Sequence, residues 1–318
     1  MSHELQRVHL IVFPGVQNLP NHAAEENGFF EKRGLAIETT FTKNSQQQRT
    51  GLACGEYDIA HSAVDNAIAM SDGSGEDVAI VVGLDHGFNK LVVQPSIASY
   101  GDLHGKILGV DALDTAFALV VYEMLQRRGL NRIDYKVVSV GATRFRLEAL
   151  LTKKIDFAIL NLPFNLFAQA AGLKVLDSPT DAIGAYQSTG GFVKRAWAKR
   201  HRGLLVQYLA AYIEGLRWSI NLANRTAVIE LLQRRMELGA EVAEECYRQI
   251  SDRDTGFAED ARLDLAGMAN LLALRAKFTA QAGATLPAER YIEESYYRDA
   301  LRVLQAVPGA TSTNTTRP

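Results

Sequence analysis

The sequence predicts an α/β protein of two lobes with a helical C-terminal part. Its 318 residues exceed the size at which a single hydrophobic core usually stops growing, so two lobes are expected. Short apolar runs alternate with segments of helical spacing in two separate series, which is typical of parallel sheets with right-handed crossovers. After residue 196, apolar residues recur mainly at three- and four-residue spacing, which indicates helices.

The first series begins with an apolar run at residues 8–13 that ends at Pro14 and Gly15, as expected for a buried strand. Helical spacing follows as far as Gly34. Further strands are predicted at 36–41, 58–61, 78–83 and 90–93. We assign all five strands to the first lobe.

The second series restarts the pattern with a strand at 106–110. Strands at 135–140 and 156–160 alternate with helices at 115–128 and 144–153, and this β-α-β-α-β order predicts a second lobe. The helical part that follows has its clearest apolar spacing at 204–222, 227–234 and 263–278.

Composition excludes several classes of protein. The formal net charge is −2, and basic residues are spread without the stripe that a phosphate backbone requires, so no nucleic-acid partner is expected. The apolar runs are far shorter than the ~18 residues of a membrane span, so the chain is not expected to be membrane-integral. Cys54 and Cys246 lack metal-site spacing and are interpreted as two buried free thiols, although one bridge between them stays open. We predict neither a metal nor a cofactor.

Five segments of the chain resemble a known family. They are GFFEKRGL at 28–35, GEYDIA at 55–60, DLHGKILGV at 102–110, ALLTKKIDFA at 149–158 and YIEESY at 291–296. In this order and spacing they resemble the solute-binding proteins of ABC importers for sulfonates, taurine and thiamine-pyrimidine precursors. The resemblance covers about residues 8–304 and implies the type II periplasmic-binding fold.

The resemblance also implies how the chain is divided. Two Rossmann-like lobes would be joined by crossovers near residues 93–96 and 185–190. Lobe one would comprise residues 1–94 and 187–306, lobe two residues 95–186, and the Thr- and Ser-rich segment 307–318 would be a disordered tail. A small organic molecule would bind between the lobes, and an ABC permease would be the protein partner.

Loops after the predicted strands of lobe one would line this cleft. Gln17 and Asn18 follow the strand at 8–13, and Ser62 and Asp65 follow the strand at 58–61. Their amide, hydroxyl and carboxylate groups could bind the ligand. Asn18 and Ser62 could equally cap helices, and the helix dipole favours Asp65 whatever its function.

In lobe two, Asp111, Asp114 and Thr115 follow the strand at 106–110. Two carboxylates would repel an anion at close range. This disfavours sulfonate or nitrate, which the family would suggest, and favours a neutral or nitrogen-containing ligand that is aromatic or pyrimidine-like. Asp114 could instead cap the following helix.

Three more residues complete the predicted ligand-binding set. Asn161 follows the strand at 156–160 and offers an amide, and Phe164 could stack on a flat ring or pack in the core. Ser188 adds a hydroxyl at the second crossover.

A cytoplasmic enzyme on the same fold is the alternative. Residues 1–7 lead directly into a strand without an export signal, so the sequence as written predicts a cytoplasmic protein, or a periplasmic one if a signal was removed. The enzyme would be a decarboxylase, lyase or hydrolase of a small aromatic or heterocyclic substrate, with His86, Asp111 and His22 as catalytic groups. The G-x-S-x-G, H-E-x-x-H and P-loop patterns are absent, so binding without catalysis is favoured.

Overall fold

The computed structural model describes residues 4–279 and 287–306, and the segment 307–318 lies outside them. Within these ranges the strands are β1 (Gln6–Val12), β2 (Leu35–Phe41), β3 (Ile59–Ala63), β4 (Val78–Asp85), β5 (Lys90–Val93), β6 (Ile107–Val110), β7 (Lys136–Ser139), β8 (Phe157–Leu160), β9 (Lys174–Asp177) and β10 (Thr189–Lys194). The helices are α1 (Leu19–Glu26), α2 (Ser45–Cys54), α3 (Asp65–Gly73), α4 (Ala116–Arg127), α5 (Thr143–Leu151), α6 (Phe164–Ala170), α7 (Pro179–Ile183), α8 (Arg195–Arg200), α9 (Arg202–Ile220), α10 (Arg225–Met236), α11 (Ala240–Ile250), α12 (Leu265–Phe278) and α13 (Ser295–Ala306).

The strands form two sheets of five, as an α/β protein of two lobes requires. The first sheet has the order β2-β1-β3-β10-β4, and the second has the order β7-β6-β8-β5-β9. In the first sheet β1 pairs in parallel with β2 and β3, and in the second sheet β6 pairs in parallel with β7 and β8. In contrast, β10 runs antiparallel to β3 and β4, and β5 runs antiparallel to β8 and β9.

The two antiparallel strands are those by which the chain enters one sheet from the other. A strand that arrives from the opposite lobe begins at the cleft edge of its new sheet. It is therefore antiparallel to the strands whose C-terminal ends lie at that edge. The first crossing comes between Asp85 and Lys90, because β5 pairs with β8 and not with any strand of the first sheet. The sequence prediction placed this crossing near 93–96, since 78–83 and 90–93 look like two successive strands of one sheet.

The C-terminal helices also depart from their predicted place in lobe one. α9 packs on α1 and α13, next to the first sheet, but α12 contacts both lobes. The Lys277 ammonium donates to the Glu123 carboxylate of α4 at 2.6 Å, and the Asn270 amide donates to the carbonyl of Ala185 at 2.8 Å. In the described ranges, no helix combines the length and apolar character needed to cross a bilayer. Both cysteines are free, but only Cys246 is buried and Cys54 is exposed.

A buried ion pair joins α3 to α12. Asp65 is 1% exposed and Arg275 is 5% exposed, and one guanidinium nitrogen lies 2.7 Å from the Asp65 carboxylate. Burial raises the pKa of Asp65, and the charge of Arg275 acts in the opposite direction. Removing one partner of such a pair leaves the other charge buried and uncompensated.

We therefore expect Asp65→Ala to lower the free energy of unfolding by about 3–5 kcal/mol, measured by urea unfolding followed by circular dichroism. Glu294→Gln is the matched control, because the Glu294–Arg298 pair is exposed and such pairs contribute at most about 1 kcal/mol. Equal losses in the two variants would contradict a stabilising role for the buried pair.

A buried histidine lies in the core of the first lobe. His61 lies in the middle of β3, its ring packs against the rings of Tyr208 and Tyr212, and its Nε2 atom is 3.0 Å from the hydroxyl of Tyr208. Burial lowers the pKa of His61 to about 3. The unfolded chain therefore binds a proton below about pH 6.5 that the folded protein does not accept until about pH 3.

This difference predicts that protonation favours unfolding. Stability should fall as the pH drops below about 6.5, with His61 contributing about 1.4 kcal/mol per pH unit until its folded pKa is reached. Urea unfolding at pH 6, 5 and 4 should show a shallower slope for His61→Gln than for the wild-type protein. Parallel slopes would show that His61 is not the group responsible.

Candidate functional site

A cleft between the two sheets is lined by loops that meet at the strand ends. It encloses about 640 Å³ of empty space, counted out to its mouth. Both lobes contribute to its walls. The lining residues are Phe13, Gln17, Ser45, Ser62, Ala63, Asn66, Asp85, Phe88, Asn89, Asp111, Thr115, Ala116, Phe117, Thr143, Arg146, Asn161, Leu162, Ser188 and Thr189.

Direct hydrogen bonds join the two walls. The Asn161 amide donates to the Gln17 side-chain oxygen at 3.2 Å, and the backbone N–H of Ser45 donates to the Asp111 carboxylate at 3.0 Å. Gly15 leaves the space for the first contact, because a Cβ there would lie 2.9 Å from Asn161 Nδ2. The structure is therefore a closed form of the cleft.

Six of the ten predicted ligand-binding residues line this cleft. The Ser62 and Thr115 hydroxyls already donate, to Gln48 Oε1 at 2.6 Å and to the carbonyl of Ala112 at 2.9 Å. One side-chain oxygen of Asp111 and the side-chain oxygen of Asn161 are buried without a hydrogen-bond partner, so they are available to a ligand. The six residues are Gln17, Ser62, Asp111, Thr115, Asn161 and Ser188.

The other four lie outside the cleft for separate physical reasons. Asn18 holds its own loop by donating to a backbone carbonyl at 2.7 Å, and Asp65 is occupied by the ion pair with α12. Asp114 is exposed, three residues beyond Asp111, where the turn carries its side chain away from the cleft. Phe164 packs against Phe167 in the core of the second lobe, with ring centroids 6.4 Å apart.

The three residues proposed for catalysis are not brought together. Asp111 lines the cleft, but His22 lies on α1, where burial lowers its pKa to about 4. His86 lies outside the cleft lining, and its Nδ1 atom is 3.4 Å from the Asp264 carboxylate. Among the described residues, no histidine lines the cleft.

Sequence reasoning missed Arg146, which is the principal cation of the lining. It lies in the first turns of α5, and its side chain is directed back toward the helix start, as long side chains in helices usually are. One guanidinium nitrogen donates to the Thr143 hydroxyl at 2.8 Å, while Nε has no partner. The loop after β7 follows the same strand-end rule as the four loops considered, so this signal was available in the sequence.

The surroundings of Arg146 are unfavourable for a positive charge. Arg146 is 4% exposed, and burial lowers the pKa of its guanidinium to about 10, although the charge of Asp111 acts to raise it. In the described part of the chain, no carboxylate forms a direct ion pair with it, and Asp111 acts on it only from a greater distance. The positive end of the α5 dipole adds to this cost, because helix N-termini favour anions. The part of the cleft around Arg146 is therefore suited to an anionic group.

A second missed residue is Asp85, at the end of β4. Its carboxylate is 2% exposed and accepts hydrogen bonds from the backbone N–H of Gly87 at 2.7 Å and from the Thr189 hydroxyl. The sequence hid this residue because segment 85–89 looked like a turn within one sheet. It is in fact the first crossing, and so it lies at the cleft.

Five further missed residues give the cleft apolar walls and additional amides. Three half-buried phenylalanines line it, where the sequence predicted only Phe164 as an aromatic contact. Two buried asparagines join them. These residues are Phe13, Phe88, Phe117, Asn66 and Asn89.

Comparisons with known proteins agree with this architecture. The nitrate-binding protein NrtA of Synechocystis superposes with a TM-score of 0.80 at 13% identity, covering 96% of this chain and 90% of that one. The alkanesulfonate-binding protein SsuA of Xanthomonas axonopodis, bound to MOPS, gives a TM-score of 0.76 at 15% identity, covering 92% and 99%. These similarities establish the periplasmic-binding-protein fold.

Sequence similarity gives the family. A Brachyspira hyodysenteriae protein, named as a candidate ABC transporter periplasmic binding protein, is 25% identical over 222 residues, or 64% of this chain. The matched region spans 62% of that relative's length. The sequence profile described as NMT1/THI5-like matches residues 17–223, which is well over half of the chain. The chain therefore belongs to the NMT1/THI5-like family.

Proposed function

We propose that this protein binds a small organic solute with an anionic group in the cleft between its lobes, as the solute-binding component of an ABC import system. The fold, the family and the named relative support the transport role. Such a component works on the outer side of the membrane and delivers its solute to a permease. The buried guanidinium of Arg146 is the observation that supports the anionic ligand.

Burying the positive charge of Arg146 costs free energy. A buried charge without an ionic partner is costly, and proteins retain one chiefly where another molecule compensates it. The fork of guanidinium N–H groups fits a carboxylate, sulfonate or phosphate, and Thr143 and the start of α5 stand beside it. An anion placed there would pair with Arg146 and also interact with the helix dipole.

The cleft also supports the aromatic or heterocyclic body that the sequence favoured. Phe13, Phe88 and Phe117 present apolar surface in a narrow space, and flat rings pack well against such side chains. The sequence argument against sulfonates depended on two carboxylates. Of these two, Asp111 lines the cleft and Asp114 does not, and the charge of Arg146 partly offsets that of Asp111. The other lining carboxylate, Asp85, lies on the first-sheet wall and Arg146 on the opposite lobe, so an organic acid or sulfonate is compatible with the Arg146 side of the site.

Binding without catalysis is the better interpretation of this cleft. The histidines that would serve as general acid or base lie elsewhere. The lining instead combines one guanidinium, two carboxylates, several amides and hydroxyls, and apolar rings, which is the composition of a recognition site.

The test is the affinity of Arg146→Gln for a panel of benzoate, benzenesulfonate, alkanesulfonates and pyrimidine carboxylates, measured by titration calorimetry. We expect at least one of these anions to bind the wild-type protein, and Arg146→Gln to weaken it roughly 10- to 100-fold through loss of charge-assisted hydrogen bonds. Arg146→Lys should retain part of the affinity, since it keeps the charge but not the fork.

Arg144→Gln is the matched control, because Arg144 is exposed on the same helix and lies over the ring of Phe145. It should bind like the wild-type protein. Without ligand, the midpoint of urea unfolding of Arg146→Gln should equal or exceed that of the wild-type protein, since a buried charge without a direct ionic partner has been removed. Equal affinity of the wild-type and Arg146→Gln proteins for every anion that binds would refute the proposed site.

A further inference from the structure

The first-sheet wall of the cleft carries a second uncompensated charge, of opposite sign. Asp85 is buried, and among the described residues no lysine, arginine or histidine forms a direct ion pair with it; His86 acts on its charge from a greater distance and contacts Asp264 directly. Its hydrogen bonds from Gly87, Thr189 and Ser188 use only part of the accepting capacity of a carboxylate. Burial raises the pKa of Asp85, which shows how poorly the site solvates a negative charge.

Other polar groups line the same wall as this carboxylate. The Ser188 hydroxyl is 1% exposed and is directed toward the Asp85 carboxylate, whose pKa it acts to lower, which leaves the hydroxyl oxygen able to accept a hydrogen bond. Ser188 lies between the ends of β3 and β4 and donates its backbone N–H to the carbonyl of Asp85 at 3.1 Å. Asn66 and Asn89 are each 3% exposed, and the side-chain oxygen of each lacks a donor. All four residues line the cleft.

The orientation of the Asn66 amide follows from its neighbours. The NH₂ group of Gln48 donates to two backbone carbonyls, each at 3.2 Å, so its oxygen is the atom that accepts from the Ser62 hydroxyl. The Ser62 oxygen must then accept, and it does so from the Asn66 NH₂ group at 3.2 Å. The Asn66 oxygen is therefore the free end of that amide, and it needs a donor.

The two uncompensated charges belong to different walls. Asp85, Ser188 and Asn66 lie at adjacent strands of the first sheet, in the order β3-β10-β4, whereas Arg146 lies on α5 of the second lobe. Asp111 is the carboxylate whose charge acts on Arg146. Arg146 thus compensates Asp111 in part and leaves Asp85 without a cation.

From this arrangement we infer that the ligand carries a nitrogen group with N–H donors, an ammonium or a protonated amino-heterocycle, which binds at Asp85, Ser188 and Asn66. This inference rests on the proposed function, in which Arg146 holds the anionic group. The solute class is then a small organic molecule with an acid at one end and a basic nitrogen at the other. Such a molecule bridges the two lobes, so its binding stabilises the closed cleft.

The experiment compares pairs of compounds that differ by an amino group, each measured by titration calorimetry on the full chain. The pairs are taurine with ethanesulfonate, β-alanine with propionate, and 4-(aminomethyl)benzoate with 4-methylbenzoate. In at least one pair, the compound with the amino group should bind the wild-type protein about 10-fold or more tightly than its partner. This comparison needs no variant, so it holds even if a substitution at Asp85 prevents folding.

Variants then locate the effect. Asp85→Asn should remove most of the advantage of the amino compound while changing the affinity of its partner less than about 3-fold, and Arg146→Gln should weaken both. Asp114→Asn is the matched control, because Asp114 is an exposed aspartate outside the lining, and it should change neither affinity.

The possible failures can be told apart. Amine-free compounds that bind as tightly as their partners, with affinity still dependent on Arg146, would overturn this inference and leave the proposed function standing. An amine preference that persists unchanged in a folded Asp85→Asn protein would also overturn it. If none of the six compounds binds the wild-type protein, that result counts against both this inference and the anionic-ligand proposal.

Discussion

The cost of burying charge is the constraint that organises this molecule. Asp65 and Arg275 satisfy it by pairing with each other, and the pair holds α3 against α12. Arg146 and Asp85 are buried as deeply but have no ionic partner within the described chain. The same physics thus separates a structural pair, whose charges cancel inside the protein, from the proposed binding site, whose charges a ligand would compensate.

The two crossing strands place those charges at the cleft. β5 and β10 each begin at the cleft edge because the chain has just arrived from the other lobe, so the segments that precede them become part of the walls. Asp85 stands before the first crossing, and Ser188 ends the second. The hydrogen-bond pairing of Thr189 with Asp85 across β10 and β4 brings the two crossings side by side. The two segments that connect the lobes therefore lie next to each other at the cleft.

Several site residues could be predicted because one rule applies to them. Side chains just after parallel strands lie at the same sheet edge, and this rule correctly brought Gln17, Asp111 and Asn161 to the cleft lining. It could not distinguish Asp111 from Asp114, because both follow the same strand and the conformation of the turn between them determines which carboxylate faces the cleft. It also could not show that the strand at 90–93 changes sheets, because an apolar run has the same pattern in either sheet.

The sequence by itself determined the α/β class, the two lobes and the family, because strand and helix periodicities and their order are written in the local pattern of apolar residues. Only the tertiary structure decided which polar residues meet and which of them remain unpaired. Arg146 and Arg275 look alike in the sequence, and so do Asp85 and Asp65. Their roles differ because pairing depends on contacts between residues distant in the chain, such as the 210 positions that separate Asp65 from Arg275.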